Sequence, residues 1–397
     1  MKKILSAMLV ATFATLPMWA ENEETDNVTA SSDKITETSE FSPAETPGAG
    51  FLTELVNNSL ESALQSAPAP EGKPALGRKL TDYASAPKFG GYFIGKYTYS
   101  DKDGAKGGAG FSQRLIRLYV DGTILGDFKY RMQAQVNNST FHMKDYFVEW
   151  SHWKELAIKV GQYKRAFLFE NPYNPWDVGA GDYSQISNSL AGIADKDGNA
   201  GNGGRDQGLQ VQGDLFPSKK DGHRFIHYQL QVMNGNGINA ADNNGHKDFI
   251  GSIQVQPVKD LFIGIFGWTG DYMPAGGVNI DRNRWAAGVK YEHNDWTVRA
   301  EYAHAQGILA NYTGEGKADG WYATVGVPCT PWLKVYGKYD AYRADKTWAS
   351  AKTIYSLIPN FQIHKNLMLQ VQYNHVHDRN LLHEDFNELW AEMYVRF

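Results

Sequence analysis

From Phe89 to the last residue, apolar and polar side chains alternate in segments of about ten residues, separated by clusters of Gly, Asn and Asp. Residues 127–137 are the clearest stretch. Phe128, Tyr130, Met132, Ala134 and Val136 fall on one face, and Lys129, Arg131, Gln133, Gln135 and Asn137 on the other. Residues 296–302 and 367–373 repeat the pattern. A strand turns successive side chains to opposite faces, so each segment predicts a strand with one greasy and one wet side. Sixteen such segments begin near residues 89, 112, 127, 143, 155, 207, 224, 248, 261, 284, 295, 319, 332, 352, 366 and 386.

The connections sort by parity. Those after even-numbered segments are a few residues long, whereas those after odd-numbered segments are mostly longer, including 235–247, 272–283, 307–318 and 378–385. A transmembrane barrel with short periplasmic turns and long outer loops requires this sorting, with both termini on the periplasmic side. A soluble sandwich has no reason for it. Tyr97, Tyr99, Trp150, Trp285, Tyr291, Trp296, Tyr302 and Trp321 share the apolar face near strand ends, as interfacial girdles do. The last segment, FNELWAEMYVRF, stops on Phe397 and resembles the closing strand of bacterial outer-membrane barrels. It directs Met393, Val395 and Phe397 to lipid and Glu392 and Arg396 to the lumen, and its expected partner is the Phe89 strand. The fold class expected is therefore all-β: an antiparallel transmembrane β-barrel of about sixteen strands over 88–397, in the outer membrane of a Gram-negative bacterium.

The chain before residue 88 differs. Lys2, Lys3, the apolar stretch 4–16 and Ala20 read as a signal peptide over 1–20. Residues 21–49 are rich in Glu, Thr, Ser and Pro and are expected to be disordered. Leu52, Leu55, Val56, Leu60 and Leu64 predict a short amphipathic helix over about 50–66, followed by a Pro-containing linker to 87. The arm 21–87 carries net −8 against −5 for the whole chain, so 88–397 is nearly neutral. A periplasmic contact is the expected use of this arm, and nothing in the charge suggests nucleic acid. The mean hydropathy of −0.47 does not oppose a barrel, which shows lipid only alternate residues. The single Cys329 excludes an intrachain disulfide and cysteine-based zinc sites. His375 and His377 share a strand face but suggest no third ligand, no Ser, His and acid set declares itself, and no cofactor is implied.

Residues 166–205 follow the fifth segment without alternation. Phe167, Leu168, Phe169, Pro172, Tyr173, Pro175, Trp176 and Tyr183 make the first half too bulky for disorder, while 195–204 is Gly/Asn-rich. Compact domains seldom carry so long a loop without a function. A loop of this kind can fold into a wide barrel and narrow it. Inward parity places Lys96, Arg117, Lys129, Arg131, Lys159, Arg284, Lys290, Arg299, Lys334, Lys338 and Arg396 in the lumen, against eight acids. Arg117, Lys129, Arg131, Lys159 and Arg165 belong to neighbouring strands and could form a wall that attracts anions. Asp145 and Glu149 stand between them, and cross-strand pairing would mute that wall.

The sequences FGGY at 89–92, RLIRLYVDG at 114–122, GDFKY at 126–130, KDYFV at 144–148 and VGQYKRAFLFE at 160–170 resemble the phosphate-selective porin O and P family. The motifs cover the first five strands; beyond the long loop only the pattern is shared. The resemblance implies sixteen strands, inward-folded loops, a homotrimer and passive diffusion of small solutes. It also implies an arginine ladder for phosphate, and no unbroken arginine series stands here. The expected function is diffusion of small polar solutes with a mild preference for anions, phosphate among them. The rivals are an assembly barrel working through the arm and a barrel-embedded hydrolase.

Overall fold

The computed structural model describes residues 84–102, 108–137, 140–193, 203–273, 279–306, 317–345 and 347–397. The expected signal peptide, the helix over 50–66 and the arm up to residue 83 lie outside the described residues. Ser85–Phe397 forms one compact unit. Its strands are β1 (Lys88–Ser100), β2 (Ala109–Ile124), β3 (Phe128–Asn137), β4 (Thr140–Trp150), β5 (Ala157–Lys164) and β6 (Arg205–Pro217). They continue as β7 (Arg224–Met233), β8 (Asp248–Val258), β9 (Leu261–Thr269), β10 (Asp271–Tyr272), β11 (Ile280–Asp281) and β12 (Asn283–His293). The last are β13 (Trp296–Gln306), β14 (Lys317–Thr330), β15 (Leu333–Arg343), β16 (Lys352–His364), β17 (Leu367–Asp378) and β18 (Asp385–Arg396).

Sixteen of these close into an antiparallel barrel in which each strand pairs with its neighbours in the chain. The exceptions are β10 and β11, a small hairpin inside the connection between β9 and β12. All sixteen barrel strands begin within three residues of the positions read from alternation. Alternation locates strands well here because each wall residue faces either lipid or lumen, and the two solvents select opposite side chains.

The barrel closes where β1 meets β18, with Tyr92 opposite Arg396 and Ser100 opposite Glu388. Phe397 extends the seam through paired backbone bonds with Gly91, both 3.0 Å. A Cβ on Gly91 would lie 2.7 Å from the Phe397 ring, so glycine is what lets the terminal ring cover the seam. Closure leaves no unpaired edge in lipid.

Outside, Leu230, Phe249, Ile263, Ile265 and Leu357 are all more than half exposed. An apolar band of this extent is a lipid-facing surface. Two aromatic girdles border it. Trp321 lies 4.5 Å from Tyr339, which meets Tyr355 at 5.2 Å, while Trp150 and Trp153 meet at 5.3 Å on the opposite rim.

The largest apolar core lies within the lumen. Phe167, Leu168, Phe169, Ile186 and Leu190 of the long connection pack on Phe266, Trp268 and Tyr322 of the inner wall. Ala286, Ala303, Ala305 and Ala318 keep that wall thin enough to admit them.

Candidate functional site

The described part of the connection 165–204, residues 165–193 and 203–204, enters the lumen and packs on its inner wall. Its limits differ by one residue from the sequence reading, because Arg205 already opens β6 and Arg165 has left β5. It also contains a one-turn helix that alternation could not reveal, α1 (Gln185–Ser189), capped by the Ser184 side chain accepting from the Ser187 N–H.

Backbone groups of a loop inside a barrel need partners, and wall side chains supply them. The Glu301 carboxylate on β13 accepts from the N–H of Phe169 (2.6 Å), the N–H of Glu170 (3.0 Å) and the hydroxyl of Tyr322 (2.6 Å). The Glu170 carboxylate accepts from the Ser184 N–H at 2.8 Å and its hydroxyl at 2.5 Å, tying the two limbs of the loop together. Tyr173 donates to Glu292 on β12 at 2.7 Å, and Arg299 donates to the Val178 carbonyl. The Gly179 carbonyl accepts from Asn360 (2.7 Å) and Gln370 (3.0 Å), and the Gln185 N–H donates to Asp340 (2.8 Å). At the tip, Trp176 packs edge-on against Tyr394 and Tyr92, beside the barrel seam.

Asp182, also near the seam, faces Arg114 at 3.2 Å, and its carbonyl accepts from Lys338 at 2.6 Å. Enclosure by the barrel raises the Asp182 carboxyl, but Arg114, Lys96 and Lys338 more than cancel this and hold it below the usual carboxylate value.

The loop does not fill the lumen evenly. Arg299, Glu301, Tyr322 and Asp340, on the wall where it docks, are 2% exposed or less. Across the lumen, Asp121 and Arg131 each keep 31% of the side chain open. A cavity of about 210 Å³ lies between the loop root and this second wall.

Three of the five cationic residues read from sequence, Arg131, Lys159 and Arg165, line that cavity together. Each also meets a carboxylate. Arg131 grips both oxygens of Asp121 at 2.7 Å, Lys159 lies 2.9 Å from Glu149, and fully buried Arg165 lies 3.2 Å from Asp206. Arg117 is not on the cavity. It is buried, donates to the Gln135 amide oxygen and stands over the Tyr92 ring at 5.6 Å. Lys129 is exposed at the periplasmic end of β3, in register with Glu149. Cross-strand pairing therefore engages much of the expected wall, as opposed charges on neighbouring strands do.

Other cations escaped the sequence reading. Arg114 occupies a bulge where β2 gains a residue opposite Ile94 and Gly95. It turns inward to Glu392 at 2.6 Å, although Arg117 three positions on also faces in. A second bulge sets Lys144 and Asp145 together against Gln133. Asp145 is gripped by Arg205 through two bonds of 2.7 and 2.8 Å. Lys164 turns its ammonium onto the carbonyls of Asn171 (2.7 Å) and Tyr173. Bulges re-aim side chains, and strict alternation is blind to them. His375 and His377 lie on the outer face near Asp385, with no metal-holding cluster among the described residues.

No family model and no curated protein matches this chain. Solved structures do. An anion-selective porin from Comamonas acidovorans superposes with a TM-score of 0.61 at 14% identity, over 79% of this chain and all of the other. The outer-membrane channel DcaP of Acinetobacter baumannii gives 0.56 at 13%, covering 81% and 99%. OmpT of Vibrio cholerae in a trimer form gives 0.56 at 12%, covering 80% and 100%. At these identities the likeness is one of fold: this chain is built on the sixteen-strand barrel of outer-membrane porins.

Proposed function

We propose that the protein is an outer-membrane diffusion channel for small polar solutes that favours anions. One observation carries the reading: the side of the closed barrel that its own loop leaves open is lined by Arg131, Lys159, Lys164 and Arg165. Asp145 on that lining is held by Arg205, and Asp121, Glu149 and Asp206 each contact one of the cations from beside it, so the preference is a mild one. A cationic wall in a narrow, poorly hydrated passage lowers the barrier for anions more than for cations. The anion-selective porin among the similar structures supports this choice, and the trimeric OmpT supports a homotrimer for this chain. Phosphate is one candidate solute within the anion class.

The test is purified full-length protein in a planar bilayer under a salt gradient. Stepwise conductance with an anion-selective reversal potential is expected. Absence of open-channel steps removes the channel reading, and a cation-selective potential removes the anion preference alone.

A further inference from the structure

We propose that the lipid-facing wall carries a binding groove for an acyl chain of an outer-leaflet lipid, with the lipid's ester, amide or hydroxyl groups held at the groove's outer end. The inference concerns the outside of the barrel and stands whatever the lumen conducts.

The groove lies where the outer ends of β8, β9, β12 and β13 meet, and it holds about 520 Å³. That falls within the ~300–1,000 Å³ of ligand sites. Phe249 and Trp285, each more than half exposed, form its sides, and Gly267 its floor. All three point outward, since their chain neighbours Ile250, Phe266, Trp268, Arg284 and Ala286 are buried on the lumen side.

Register shows what is missing there. Trp285 belongs to the outer aromatic girdle, 5.3 Å from Tyr302, which stands opposite Trp321 on the next strand. Followed the other way, the row through Trp285 passes to Gly267 and then Gly251 before it reaches Leu230. The girdle thus has a gap two strands wide. Nothing in the fold requires glycine at Gly267. It has no positive φ, no register shift falls at it, and a Cβ there would meet no atom within 4 Å. Glycine inside a strand weakens it and marks places where a ligand or another backbone comes close. Here the approach is from the bilayer side.

The chemistry changes along the groove. On the membrane side its floor continues into Ile253 and Ile265 of the apolar band. Its outer end is polar, made of Thr269, Asn283, His304 and Gln306. The Thr269 hydroxyl donates to the Asn283 amide oxygen at 2.7 Å, while the Asn283 amide nitrogen and the Gln306 amide bond to no described residue. The next charges along the row, Asp319 and Arg343, are joined to each other at 2.9 Å. The outer end therefore offers uncharged donors and acceptors above an apolar trough. A lipid matches both ends, because its chain gains by apolar burial and its first polar groups lie at this level. A second copy of this chain fits less well. Phe249 and Ile265, 57% and 60% exposed, stand proud beside the glycine floor, where a narrow chain can enter and a broad surface cannot.

The experiment uses full-length protein purified in detergent, stripped of native lipid and titrated with dimyristoyl phosphatidylcholine. Native mass spectrometry then counts the lipids that survive stepwise activation. One lipid per chain is expected to be retained at energies that strip the rest. Gly267→Trp, which fills the trough, should lower that retention about fivefold or more. Asn283→Ala combined with Gln306→Ala should lower it about threefold, by loss of hydrogen bonds at the outer end. Heat-modifiable mobility should show a native barrel in each case; if Gly267→Trp does not fold, the paired polar variant decides. The groove is overturned as a lipid site if the native protein retains no lipid preferentially, or if retention is unchanged in the variants. Unchanged retention with loss of oligomer in Gly267→Trp would assign the groove to contact between copies instead.

Discussion

The two walls of the lumen are built from the same alternating strands but solve opposite problems. On β12 to β15 the inward side chains are small or serve as anchors: Ala286, Ala303, Ala305 and Ala318 make room, while Glu301, Arg299 and Asp340 bind loop backbone. On β2 to β5 they are long, charged and largely paired with one another across strands, and they meet the loop through cations, Arg114 at Asp182 and Lys164 at the Asn171 carbonyl. The barrel thus uses one wall to hold its own loop and leaves part of the other wall open. Charge buried under a loop works as structure, and charge left half open is available for selectivity.

The sharpest way to break this division is Glu301→Ala. Two loop N–H groups and the Tyr322 hydroxyl lose their shared acceptor inside the barrel, and each buried orphan costs about 1–3 kcal/mol. The loop should leave the wall while the barrel, whose strands pair independently of it, survives. Single-channel conductance should rise severalfold and the loop should become cleavable by protease. Conductance equal to native would show that Glu301 is not the anchor.

Phe169→Ala comes next. The ring packs against Phe266 at 5.1 Å and is 4% exposed, so its removal should cost about 3 kcal/mol of docking. Noisier, higher conductance is expected, with ion selectivity little changed. A shift in reversal potential comparable to that of a wall cation would mean the walls are not separable.

Arg131→Ala probes the other wall. It removes one lumen cation and frees Asp121, and the pair is about a third exposed, so its structural worth is at most about 1 kcal/mol. The reversal potential should move toward cations while conductance and heat stability stay near native. A conductance change as large as that of Glu301→Ala would assign Arg131 to loop anchoring.

The sequence showed the strands and their lipid and lumen faces because period-two alternation records which solvent each side chain meets. It did not show where the loop docks, since Phe169 and its acceptor Glu301 are 132 positions apart. The inward run of Ala303 and Ala305 was the available hint, marking wall too thin to line open water. Arg114 and Lys144 were lost to bulges that no alternation predicts, although Gly95 opposite the first is the sort of residue that permits one. The wall cations read from alternation were Arg117, Lys129, Arg131, Lys159 and Arg165. Their carboxylate partners depended on register, which fixes Arg131 opposite Phe147 on one side and Asp121 on the other.

Acidification tests the loop near the seam, where Asp182 reaches Arg114 on β2 and Lys338 on β15. Asp182 is held below its ordinary value of 3.8, so its contribution is fully present above that value and is lost as pH falls through the lower folded value. Its side chain is 39% exposed, which keeps the effect under about 1 kcal/mol. Native channels should show a change in conductance below pH 4 that is absent at pH 5–8. Asp182→Asn should remove that part of the profile, and an identical profile in the variant would exclude Asp182 as the source.

The smallest effect belongs to Lys129. It was read from sequence as part of the anion-attracting wall, but it stands exposed at the periplasmic end of β3, away from the cavity. A charge in bulk-like water acts on solutes mainly by raising their local concentration, and salt screens it within about 10 Å at 0.1 M. Lys129→Gln should therefore change the anion current by less than about twofold at low salt and by nothing measurable near 1 M, where the screening length falls to about 3 Å. Arg131→Ala, acting beside the cavity, should keep its effect on selectivity at high salt. If Lys129→Gln persists at 1 M as well, the selective region extends to the periplasmic rim, and the open wall is longer than the cavity alone defines.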